Sequence, residues 1–78
     1  MGPMTLFSRH EAEAKLNKTV RARMALRGVP VGTTGKVIRV EESPDGCSVV
    51  VQWDSSLAPQ RPSLFSKDLY ALYLAEEP

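Results

Sequence analysis

The residues best suited to chemistry in this chain are few and scattered. Cys47 is the single thiol and His10 the single imidazole. A nucleophilic cysteine needs a base beside it, and a zinc site needs several thiolates or imidazoles at ligand spacing. Cys47 has no histidine near it in sequence, so it reads as a small buried or half-buried apolar residue, and His10 reads as a surface residue in the first turn of a helix. Glu41-Glu42 precede a turn, where adjacent carboxylates are solvated rather than shared as an acid and base pair. The sequence therefore predicts no catalytic residue, no metal and no cofactor.

Charge is the feature that departs most from an even distribution. Lys15, Lys18, Arg21, Arg23, Arg27, Lys36 and Arg39 fall between residues 15 and 40 with no acid among them, while residues 41–78 hold seven acids against two bases, for a net charge of +1. Such a stretch can present a basic face to phosphates, with salt-dependent affinity. In a domain this small the acidic half can instead fold back and pair with it. Modules that bind single strands also expose aromatic rings for stacking, and of five aromatics here Trp53, Phe65 and Tyr73 are needed inside. The expectation is a non-catalytic binding module with an unidentified protein partner. Nucleic-acid binding through Arg21, Arg23, Arg27, Lys36 and Arg39 is the alternative. Tyr70, placed opposite Leu69 and Leu72 on a helical turn, is expected as an exposed contact residue. Pro59 and Arg61 in a proline-flanked loop, and Thr33 and Thr34 in a glycine loop, complete the expected protein contacts.

These residues need a scaffold, and 78 residues suffice for one small domain, since domains mostly run from about 50 to 250 residues. Residues 1–7 are read as a flexible leader. Ser8-Arg9-His10-Glu11 has the form of a capping box, opening a helix over 8–17 that Asn17 stops. From Thr19 the apolar period falls from helical to two, with Val20, Ala22 and Met24 alternating with Arg21, Arg23 and Ala25, which describes a half-buried strand. Three glycines and a proline between Gly28 and Gly35 enforce a loop. Lys36 to Glu41 and Cys47 to Trp53 form a hairpin around Ser43-Pro44-Asp45-Gly46, and Ser63-Leu64-Phe65 gives a brief further strand. Strands thus span 19–65, followed by a closing helical turn over 66–74 and a fraying Glu76-Glu77-Pro78. The expected core is Val20, Ala22, Met24, Val37, Ile38, Val40, Val49, Val51, Trp53, Leu64, Phe65, Leu69 and Leu72. The start Met1-Gly2-Pro3-Met4-Thr5 has no basic leader or long apolar stretch, and no run reaches the roughly 20 apolar residues of a membrane helix. A cytoplasmic protein, monomeric or weakly homodimeric and away from membranes, is expected.

The order of short strands, glycine loop, hairpin and closing helical turn resembles the SH3-like barrel, a bent sheet of about five strands, so the predicted fold class is mainly β. Within it, Val31-Gly32-Thr33-Thr34-Gly35-Lys36-Val37-Ile38-Arg39-Val40 resembles the KOW motif of ribosomal and transcription-elongation proteins. That resemblance implies RNA or protein contacts at Arg27, Thr33, Thr34 and Lys36. Leu64-Phe65-Ser66-Lys67-Asp68-Leu69-Tyr70 resembles the ending of small uncharacterised bacterial SH3-like proteins. Val51-Gln52 is similar, in two of four positions, to the pore run valine-glutamine-isoleucine-tyrosine of plasmid-type dihydrofolate reductases, which implies a homo-oligomeric enzyme as a remote alternative. Trp53-Asp54 break that run.

Overall fold

The structure, a computed structural model, describes residues 5–26, 28–54 and 62–77. Its elements follow the order α1 (Arg9–Ala14), β1 (Thr19–Ala22), β2 (Thr34–Ser43), β3 (Gly46–Trp53), β4 (Ser63–Phe65), α2 (Lys67–Tyr73) and β5 (Leu74–Glu76). The five strands pair antiparallel in the order β4-β3-β2-β1-β5 and curl into a half-barrel. The mainly β fold with two short helices is the expected class.

Local chemistry accounts for most boundaries. Ser8 caps α1 through a full capping box: the Glu11 N–H donates to Ser8 Oγ at 3.1 Å, and the Ser8 N–H donates to Glu11 Oε1 at 2.9 Å. The regular helix ends at Ala14, and Asn17 turns the chain away with φ 69°. Along β3, Cys47, Val49, Val51 and Trp53 point inward, and their partners on β2 and β4 include Val37, Val40 and Phe65. The Trp53 indole donates to Ser63 Oγ at 2.9 Å, so the ring's one polar group is satisfied while its body sits in the core against Phe65.

Gly35 shows why the loop into β2 requires glycine. A Cβ there would lie 2.8 Å from the Gln52 carbonyl oxygen and 2.9 Å from both Trp53 Cε3 and Val51 Cγ1, so strand contact leaves no room for a side chain.

Several expectations are corrected. Phe7, read as part of a flexible leader, pairs with Cys47 through two backbone hydrogen bonds of 2.9 and 2.8 Å and lies in the core with its ring edge-on to Tyr70. Met24, Leu64 and Leu72, expected in the core, are exposed. Met24 falls beyond β1, which ends at Ala22 when the Arg23 N–H turns to the Tyr73 carbonyl. Ile38 is exposed because it alternates with the inward Val37, and the register shift between Val37 and Arg39 then puts Arg39 on the same outer face, opposite Val50. Val29, read as loop, is buried through a tight turn in which Leu26 and Val29 exchange backbone bonds. Leu74 to Glu76, read as the end of a helix and a fraying tail, form β5 against β1.

Candidate functional site

The predicted contact residues divide into three groups. Arg27, Pro59 and Arg61 lie outside the described residues. Tyr70, expected to face solvent, is buried at the junction of α1, α2 and β5. Helical spacing let either side of α2 face inward, and the side with Tyr70 is the one that meets Phe7, leaving Leu72 outside. Its hydroxyl donates to Glu76 Oε2 at 2.8 Å, and Lys15 Nζ donates to the same oxygen at 2.6 Å while lying 5.2 Å from the Tyr70 ring centre. Burial, and then the bond to Glu76, push the Tyr70 phenol up; the bonds from Lys15 and Tyr70 hold the Glu76 carboxyl down. This cluster ties three elements together. Thr33 donates to the Pro30 carbonyl at 2.7 Å, and the Thr34 carbonyl accepts the Asp54 N–H at 2.9 Å, so both threonines shape the loop mouth.

The basic residues are largely answered from within the chain. Arg21 Nη2 lies 2.6 Å from the buried Glu77 Oε1, an approach whose angle makes it an ion pair rather than a directed hydrogen bond. Arg23 donates to the Ala71 carbonyl at 3.2 Å, and Arg39 pairs with Glu41 at 3.1 Å. Lys67 reaches Glu11 at 2.8 Å and, with the Ser8 N–H, holds the Glu11 carboxyl down to about 2. Lys36, exposed on β2, takes part in none of the ion pairs among the described residues. The acidic segments thus fold back on the basic stretch.

A different surface emerges on the outer face of the sheet. Register places Arg39 opposite Val50 and Val50 opposite Leu64, and the bulge sets Ile38 beside Arg39. Val50 is only 4% exposed yet stands apart from the core cluster, because it points outward beneath its neighbours. Ile38 at 42% and Leu64 at 58% exposure flank it, completing an apolar row across three strands. Single exposed apolar residues are ordinary on protein surfaces; here two of them stand on either side of a covered valine. Val50, Leu64 and Pro62 form one side of a groove of about 350 Å³ and Arg39, Glu41 and Glu42 the other, with Ile38 just beyond its lining.

Sequence reading missed this groove. One visible signal is Val49-Val50-Val51, three consecutive apolar residues in a strand of period two, which forces one valine onto the outer face. The adjacent pair Val37-Ile38 carries the same signal, whereas the bulge that sets Arg39 opposite Val50 has none. Among the described residues, no group of three His, Cys, Asp or Glu side chains gathers to hold a metal. A scan of protein-family models and searches of curated proteins and of solved structures each return no match.

Proposed function

We propose that this chain is a non-catalytic binding module of the SH3-like kind, and that its partner is a protein segment docked in the outer groove. The strand order β4-β3-β2-β1-β5, with a short helix between the last two strands, is compatible with an SH3-like fold. The glycine pair of the KOW-like stretch also plays the part a barrel asks of it, a positive φ of 90° at Gly32 and close strand contact at Gly35.

The observation that carries the reading is the outer row whose exposed members, Ile38 and Leu64, stand on either side of the already covered Val50. A protein partner gains from burying such a row, and a phosphate backbone does not. The nucleic-acid alternative has less support, since Phe7, Trp53, Phe65 and Tyr70 are buried and Tyr73 packs against the core, leaving no ring free for bases. A non-catalytic role accords with the placement of the reactive groups: Cys47 is buried and His10 lies on the exposed side of α1.

Titration of isotope-labelled protein with mixed single- and double-stranded nucleic acid, at low and physiological salt, tests the preference. The expected result is no saturable shift at Arg21, Arg23, Lys36 or Arg39, even at low salt where phosphate attraction is strongest. Saturable, salt-sensitive shifts at those residues would overturn it.

A further inference from the structure

The charge around the groove specifies more than an apolar partner. Along the outer face of β2 the side chains run Lys36, then Ile38 and Arg39 at the bulge, then Glu41, with Glu42 also lining the groove. The sign of the surface therefore reverses along β2, from Lys36 on one side of the apolar row to Glu41 on the other. Lys36 is unpaired among the described residues. The glutamates are held only by exposed pairs, Arg39 to Glu41 at 3.1 Å and Arg9 to Glu42 at 3.3 Å, with all four side chains at least half in solvent. Exposed pairs of this kind are worth little, so an incoming charge can replace either partner.

Alternate residues of an extended chain lie about 6.8 Å apart on one face, the same repeat that separates Gln52, Val50 and Ser48 along β3, whose β2 partners are Lys36, Arg39 and Glu41. An extended segment lying along the outer face of β3 thus places residue i−2 beside Lys36, just past the groove's lining, residue i between Ile38 and Leu64 over the covered Val50, and residue i+2 beside Glu41 and Glu42. Resting on the binding role proposed above, we infer that the groove selects an extended peptide segment with an acidic side chain, an apolar side chain and a basic side chain at alternate positions. The apolar residue seats between the exposed Leu64 and Ile38, above the covered Val50. The acidic residue meets Lys36 and Arg39, and the basic residue meets Glu41 and Glu42. Charge order then supplies specificity and direction, while the apolar seat supplies most of the affinity.

The test is selection of a random dodecapeptide library displayed on phage against the intact chain, with counter-selection on Leu64→Glu. Because Leu64 is exposed on the outer face, this variant keeps the core, and circular dichroism verifies its fold. The expected outcome is a Leu64-dependent pool with opposite charges two residues either side of an apolar position. Synthetic peptides from that pool should bind Leu64→Glu at least about tenfold more weakly. Selection on Glu41→Lys/Glu42→Lys should change the basic position of the pool to acidic, and Lys36→Glu should change the acidic position to basic. A Leu64-dependent pool with no charge order, or one unmoved by these reversals, overturns the inference and leaves the binding role standing. A pool that ignores Leu64, or no enrichment at all, overturns both.

Discussion

At the scale of single residues, the most informative side chains are ones whose roles differ from their types. Tyr70 has the composition of a surface contact residue and works instead as a buried tie, with Glu76 accepting from both its hydroxyl and Lys15. Tyr70→Phe keeps the ring packed on Phe7 and removes one charge-assisted bond, so urea unfolding should report a loss of about 1–2 kcal/mol. Glu11 offers a pH test. Its carboxyl falls from an ordinary 4.5 to about 2 in the folded chain, first through Lys67 and then through the Ser8 N–H. A depressed carboxylate contributes stability that is fully present above pH 4.5 and lost as pH falls toward 2. Glu11→Gln retains an acceptor for the capping box and loses the ion pair. It should therefore melt below the native chain at neutral pH, and the difference should vanish near pH 2 in thermal scans. Gly35→Ala sets a Cβ against the Gln52 carbonyl and the Trp53 ring, and should cost about 1–3 kcal/mol in the same unfolding assay.

At the scale of elements, what was legible in the sequence follows from how local each signal is. The capping box at Ser8, the hairpin and the Ser66 cap of α2 depend on residues within four positions of one another, and each appears as read, whereas the helix expected to run to Asn17 ends at Ala14 and leaves Asn17 only the turn beyond it. The misses depend on distant partners. Phe7 is ordered by Cys47, forty residues on, and Leu74 to Glu76 become a strand only because β1 offers an edge. Ile38 is apolar but alternates with the inward Val37 and so faces out, and the bulge after it, a property of two strands together, sets Arg39 rather than Val40 on that face beside it. The groove inherits that problem, since its row exists only once three strands are in register. Two substitutions separate the readings in one assay. Phe7→Ala should destabilise by about 3–5 kcal/mol, where a flexible leader would give no change. Ile38→Thr, on the outer face, should change stability by no more than about 0.5 kcal/mol.

At the scale of the whole molecule, the uneven charge of the sequence becomes internal pairing. Lys15 with Glu76, Arg21 with Glu77 and Arg9 with Glu42 each join parts of the chain far apart in sequence, so the basic stretch is not left as one open face. What remains on the outer sheet is the apolar row, with Lys36, unpaired among the described residues, on one side of it and Glu41 and Glu42, held only by exposed pairs, on the other. The central claim is that partners dock there. The measurement that tests it most directly is a backbone NMR shift map of the labelled chain with the most enriched selected peptide. The account predicts saturable shifts centred on Ile38, Val50 and Leu64 and extending to Lys36 and Glu41. Shifts confined to the opposite groove between the helices, at His10, Lys15, Lys67 and Ala71, would contradict it.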